Sequence, residues 1–332
     1  MHPKNVVYGP EERANIIKWA SLNPDLSADE LVAYMLDYKD ENGKDKSEYI
    51  GSPSTIRRVL RDANMARPRT NRKNSSHNMH IKKIAATKPN EIFVWDITYL
   101  YSSIAGEYFY LYAMMDLYSR KMIRYEVHTE QRDTIAAKFL ENALKDAKVA
   151  IKGHEHEING FNKSFKIVDT LILHSDNGAP MKGQNMINKV NSLGIKGSYI
   201  RPLHSNDNAF IESSFALLKH CNQMRIPRCF ENVKVAQNWV NKFYEWYNSK
   251  HLHSGIGYIT PNDCYEGKAK EILEKRNKKI KESKKKKTRF YDLPGSVSVL
   301  STSKQNRETE NVIKAEEYRL GSKVRKAKEK AA

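Results

Sequence analysis

Hydrophobic and polar positions alternate in three regimes along the chain. Residues 10–64 show short helical periods. PEERANIIKWASL opens on Pro10 and two glutamates, a favourable first helical turn, and Asn23-Pro24 ends it. Ser27 precedes ADELVAYMLDYKD with Glu30 three residues on, a capping-box pattern. After the polar stretch ENGKDKSEYIGS, Pro53 leads PSTIRRVLRDANM, whose Ile56, Val59 and Leu60 share one face. From 91 the pattern turns mixed. FVWDITYLY, YFYLYAMMDLYS and KMIRYEVH read as three successive strands, and DTIAAKFLENALKDAKV as a long amphipathic helix. TLILHSD is continuous in apolar residues, as central strands are. GQNMINKVNSLG is a helix closed by Gly194, IKGSYI a short strand, and NAFIESSFALLKHCNQM a helix that Asn206 or Asp207 can cap. FENVKVAQNWVNKFYEWYNS adds a helix with Val235, Trp239, Val240, Phe243 and Trp246 along one stripe.

The order β-β-β-α-β-α-β-α between 91 and about 225 predicts an α/β domain: a mixed five-stranded sheet with flanking helices, the order of a ribonuclease-H-like core. The three helices before it end in one carrying Arg57, Arg58 and Arg61, which resembles a helix-turn-helix. Residues 65–90 hold seven basic residues, Lys82 and Lys83 among them, and no acidic one, so they read as a linker laid along phosphates. The expected division is 1–64 helical, helix-turn-helix-like and DNA-binding, 65–90 linker, 91–266 catalytic core and 267–332 a basic C-terminal extension. Within that extension, 268–287 holds eleven basic and three acidic residues, and GSVSVL is a short β candidate.

Charge narrows the partners. The 332-residue chain carries a formal net charge of +18, which favours a polyanion, most simply nucleic acid. No apolar run approaches the roughly 20 residues that span a bilayer, and the start lacks a signal-peptide core. Cys221, Cys229 and Cys264 are too few and too scattered for a disulfide framework. These features predict a cytoplasmic, nucleoid-associated protein.

Three acidic residues then stand out. Asp96 lies inside an apolar strand, where a lone carboxylate is costly unless paired or metal-bound. Asp176 follows an apolar strand, at the C-terminal end where open sheets place their sites, although a turn Asp before glycine is the simpler local reading. Glu212, alone, is a surface glutamate on a helix. Together they can hold hard divalent cations through oxygen, and two such cations can cut and join phosphodiesters. Lys219 follows Glu212 by seven residues. Seven steps of about 100° return to within roughly 20° of the start, so Lys219 shares Glu212's face.

The segments WDITYL, HSDNGAP, NDNAFIESSFALLKH and YNSKHLHSGIGYITP resemble the DDE catalytic domain of bacterial insertion-sequence transposases, in the branch related to retroviral integrase, as the downstream-frame subunit. The resemblance covers roughly 90–266 and implies a ribonuclease-H-like fold, with Asp96, Asp176 and Glu212 as the catalytic, metal-holding triad and Lys219 as the basic residue after the glutamate. It implies Mg²⁺ or Mn²⁺, two ions per site, and transposition by metal-dependent cleavage and strand transfer at the element's terminal inverted repeats. It further implies a target duplex, a homo-oligomer when two ends are synapsed, and an upstream-frame helix-turn-helix partner. Asp116 also matches a family position, but pairing with Arg120 or capping of its strand turn is the expectation. His251 and Leu252 stand where the family often has Arg and Pro. A catalytically inactive, domesticated DNA-binding protein is the alternative; a junction resolvase on the same core is a third reading.

Overall fold

β1 (Ile92–Tyr101) is the central strand of a five-stranded sheet. Its alternate residues enter opposite cores: Phe93 and Trp95 one, Val94 and Leu100 the other. The computed structural model describes residues 9–65, 84–199, 208–221 and 223–291. Lys82 and Lys83, the candidate cap at Asn206 or Asp207, and GSVSVL lie outside them.

β1 pairs antiparallel with β2 (Tyr108–Asp116), and β2 with β3 (Met122–His128). On its other side β1 pairs parallel with β6 (Ile172–Ser175), and β6 with β7 (Lys196–Tyr199). The sheet is therefore mixed and five-stranded, as the strand pattern predicts, and its strands lie in the order β3-β2-β1-β6-β7. Two helices, α4 (Asp133–Ala147) and α6 (Gln184–Ser192), bury Phe139, Leu140 and Val190 on the face of Phe93 and Trp95. The opposite face is covered by α7 (Ala209–His220) and α8 (Val233–Ser249), through Ile211, Phe215, Val240 and Phe243.

An edge strand exposes unpaired backbone groups, and α8 covers those of β3 with two side-chain amides. Gln237 accepts from Val127 N–H at 2.7 Å and donates to the Tyr125 carbonyl at 3.3 Å. Asn248 accepts from Met122 N–H and donates to the Met122 carbonyl, both at 2.9 Å.

Two local expectations are corrected. The helix from Asp133 ends at Ala147, not Val149. Lys148 turns left-handed (φ 51°), and the buried β4 (Val149–Ile151) pairs with β5 (Lys166–Val168) as a small second sheet. On α8 the buried positions are Ala236, Val240, Phe243, Tyr244 and Tyr247, whereas Val235 is 41% exposed. The stripe is turned toward the residues that can meet β3.

The N-terminal helices are α1 (Pro10–Leu22), α2 (Ala28–Asp37) and α3 (Pro53–Asp62), packed around Ile16, Leu31, Met35, Ile56 and Val59. The capping box at Ser27 forms: its hydroxyl accepts from Glu30 N–H and the Glu30 carboxylate accepts from Ser27 N–H. Two further elements follow the core, α9 (Pro261–Tyr265) and α10 (Ala269–Tyr291), and Ile280 of α10 packs against the core of α1–α3. The remaining short helix, α5 (Ala179–Lys182), follows β6. Among the described residues no helix is long and apolar enough to cross a membrane.

Candidate active site

β1 presents Asp96 two positions beyond Val94, on the face covered by α7 and α8, since side chains alternate along a strand. The Asp96 carboxylate is half-buried and accepts a 2.7 Å hydrogen bond from Ile97 N–H. Val94 is level with His174 of β6. Carrying that register two residues on sets Asp96 level with Asp176, just past the strand's end, and neighbouring strands lie about 4.8 Å apart. Asp176 accepts from Gly178 N–H at 2.9 Å, and a Cβ on Gly178 would come within 3.1 Å of that same oxygen. Beside it the buried His174 ring bonds Ser198 of β7 at 3.1 Å, tying β6 to its neighbour.

α7 brings the third carboxylate. Ile211, Phe215 and Leu218 are buried, and Glu212, in the first turn, is exposed at the rim. The fully enclosed Asn208 begins this helix, its amide nitrogen 3.5 Å from the Trp95 carbonyl beside Asp96. Two turns after Glu212, Lys219 donates to the Thr98 hydroxyl at 2.8 Å. Thr98 lies two residues beyond Asp96 on the same strand face, so the lysine ammonium is held on the side of the sheet that carries the carboxylate. Sequence reasoning missed Thr98. Its signal was present in the spacing, a hydroxyl residue two positions after an acid within an apolar strand.

The carboxylates affect one another. Burial, followed by the charges of Asp176 and Glu212, pushes the Asp96 carboxyl up to about 7, against the pull of the Ile97 N–H. The Glu212 carboxyl is also raised, by partial burial and then by Asp176. Three acids from three elements thus form one field of excess negative charge in a strongly basic chain. Among the described residues no group of three or more His, Cys, Asp or Glu side chains is drawn close enough to hold a metal ion. The donor chemistry nevertheless fits a hard divalent cation: all oxygen, with one carboxyl whose ionisation is disfavoured until positive charge arrives.

A pH dependence follows. The folded state keeps the Asp96 proton up to about 7, whereas an unfolded aspartate loses it near 3.8. Between these values the folded state binds more protons, so this group's contribution to stability falls as pH rises. His253, held down to about 4 by burial and then by His251 and Arg120, acts in the opposite sense. The informative quantity is therefore a difference. In chelator-treated protein, urea denaturation of wild type and Asp96→Asn should show the variant gaining relative stability between pH 5 and pH 8. An unchanged difference would contradict the interaction.

Other candidates separate from this cluster. Asp116 is fully buried and accepts from Asn90 N–H, Ser119 N–H and the Ser119 hydroxyl at 2.8, 2.8 and 2.6 Å, capping its strand turn as expected. Arg120, four residues on, donates to the Leu117 carbonyl at 2.6 Å and covers the Phe210 ring of α7 at 3.9 Å. In the block after α8, the His253 ring accepts from Gly255 N–H at 3.0 Å, and His251 stacks on Tyr247 at 5.3 Å. Thr260 caps α9. On α3, Arg57 is paired with Asp29 of α2, while Arg58 and Arg61 are exposed.

Comparison with known proteins agrees with this architecture. Two family profiles, each described as an integrase core domain, match residues 86–205 and 193–261. The transposase for insertion sequence element IS904 of Lactococcus lactis is 27% identical over 179 residues, 54% of this chain and 62% of that protein. The putative transposase InsK for element IS150 of Escherichia coli is 28% identical over 176 residues, 53% of this chain and 54% of that protein. The chain thus spans less than two thirds of the length of either relative. Among solved structures, a simian T-cell lymphotropic virus intasome chain is similar with a TM-score of 0.41 at 15% identity, covering 65% of this chain and 67% of that one. The Mos1 mariner transposase catalytic domain gives 0.34 at 12% identity, covering 58% and 82%. Two adjoining integrase-core matches thus cover its central sheet, and the relatives that it resembles over that region are insertion-sequence transposases.

Proposed function

We propose that this protein is a transposase that cleaves DNA at the ends of its insertion sequence and joins the freed strand to a target. Asp96, Asp176 and Glu212 are the catalytic residues and would hold divalent cations, two Mg²⁺ or Mn²⁺ ions per site. The observation that carries this is Asp96 in the central strand, level with Asp176 and pushed up to about 7 by burial first and then by the charges of Asp176 and Glu212, on a chain whose overall charge attracts phosphate. Bound divalent cations supply Lewis acidity to the scissile phosphate and lower the pKa of the attacking hydroxyl.

The chain's own residues do the rest. Asp96, fixed in β1, orients the site from the centre of the sheet, and Asp176 and Glu212 complete it from β6 and α7. Lys219, steadied by Thr98, offers a charge to a phosphate oxygen beside the reacting one. Hydrolysis releases a 3′-hydroxyl, which then attacks a phosphodiester of the target and expels its 3′-oxygen. No protein nucleophile is needed. Arg58 and Arg61 on the free face of α3, with Lys82 and Lys83 of the linker, contact the duplex, and Arg57 joins them if its pair with Asp29 opens. Two ends are brought together by a homo-oligomer, with an upstream-frame helix-turn-helix protein as a further partner, in the bacterial cytoplasm.

The test uses the purified chain, a labelled duplex carrying the element's terminal repeat and a second unlabelled duplex. Cleavage at the repeat and joined product should form with Mg²⁺ and vanish with chelator. Tight binding of the repeat without any metal-dependent cutting would instead favour the domesticated binding protein.

A further inference from the structure

α10 is strongly basic, and while Lys270 and Lys275 face solvent, one of its cations does not. Arg276 is 6% exposed. Its guanidinium grips the Asp37 carboxylate at the end of α2, with Nε 3.0 Å and Nη2 2.5 Å from Oδ2. The same fork donates to the carbonyls of Gly257 and Tyr258, both at 2.8 Å. Those two residues are consecutive left-handed positions (φ 78° and 57°) in the segment that closes the catalytic domain. For tyrosine that backbone is disfavoured, and here it leaves both carbonyls accepting from one arginine. Around it, Lys279 donates to the Leu36 carbonyl at 3.0 Å and pairs with Asp45 at 3.1 Å, and Lys275 stands 3.6 Å from Asp45. One side chain therefore joins the N-terminal helices, the catalytic domain and the C-terminal helix. Beside it a cleft of about 340 Å³, lined by Pro24, Glu30, Tyr34, Asp37, Trp246 and His251, leaves the packing of the two parts incomplete.

We propose that Arg276 is a positioning residue: it fixes the DNA-reading helices at a set distance and angle from the carboxylate site, and so determines where on the bound end the strand is cut. A buried guanidinium with all three nitrogens hydrogen-bonded suits this role, because its planar fork fixes direction as well as attraction. Lysine would keep the charge and lose the fork. The proposal rests on the transposase reading for its second half only.

The experiment has two arms, run on the full chain. In the first, spin labels on Asn42→Cys and Gln131→Cys, with Cys229→Ser, report the distance between the N-terminal helices and the sheet by double electron–electron resonance. A single narrow distribution is expected with Arg276 present. A broad one is expected in Arg276→Gln and in Asp37→Asn, which removes the partner from the exposed side and guards against misfolding of the first variant. In the second arm, cleavage at the terminal repeat is compared with Mn²⁺-dependent nicking of plasmid lacking the repeat. Both variants should lower end-specific cleavage by at least tenfold and scatter its position, with random nicking unchanged; Arg276→Lys should recover only part.

Equal loss of both activities reduces Arg276 to a stability role and overturns the proposal. So does a narrow distribution in the variants, or faster end cleavage on release. If the wild type cuts no repeat-bearing DNA, the transposase reading fails, while the distance arm still decides whether Arg276 holds the parts together.

Discussion

Asp96→Asn is expected to lower end cleavage and strand joining by at least about a thousandfold, as removal of a group central to a catalytic set does, while binding of the repeat-bearing duplex stays within about threefold. The substitution keeps shape and removes charge. It takes away a carboxylate in the strand at the centre of the sheet, where the charges of Asp176 and Glu212 are felt. It also relieves their repulsion, so the variant should remain folded and its metal-free form should gain stability above neutral pH. Single-turnover cleavage and filter binding on the same preparation measure both quantities. Cleavage within tenfold of wild type would remove Asp96 from the catalytic set.

Asp116→Ala should act in the opposite way, lowering stability first. This carboxylate is fully buried and accepts three hydrogen bonds, two from Ser119 at the turn between β2 and β3 and one from the Asn90 N–H just before β1. Truncation leaves those donors without an acceptor in an enclosed site. Breaking such a buried charged network costs about 3–5 kcal/mol, a large part of the roughly 5–15 kcal/mol that holds a typical domain. Urea denaturation should show a midpoint lowered accordingly, and the loss should be the same with and without Mg²⁺. A variant of wild-type stability that no longer responds to metal would place Asp116 among the ligands instead.

The contrast between these acids shows what the sequence makes legible. Asp96 is visible because apolar residues on both sides force it into a strand, and Asp176 because a continuous apolar run delivers it to a strand end. That β1, β2 and β3 pair in succession follows from their short connections. What sequence hides is shorter or more distant. β4 and β5 have three residues each and no period to detect. The end of α4 depends on whether Val149 pairs with Lys166, a tertiary choice that overrides helical periodicity. The buried face of α8 keeps Val240 and Phe243 of the expected stripe but runs on through Ala236, Tyr244 and Tyr247 and leaves Val235 exposed, which lets Gln237 and Asn248 reach the edge of β3. Arg276 appears only as one of many basic residues in its helix, since its partner Asp37 lies 239 positions earlier.

Manganese binding, read by the loss of free-ion signal in electron paramagnetic resonance at pH 8, tests most directly whether the three acids work as one metal-holding unit. Wild type should remove Mn²⁺ from solution, and Asp96→Asn, Asp176→Asn and Glu212→Gln should each weaken that uptake by at least about tenfold, the scale on which lost ligation is felt. Uptake that persists unchanged in any one of the three variants would contradict the shared site.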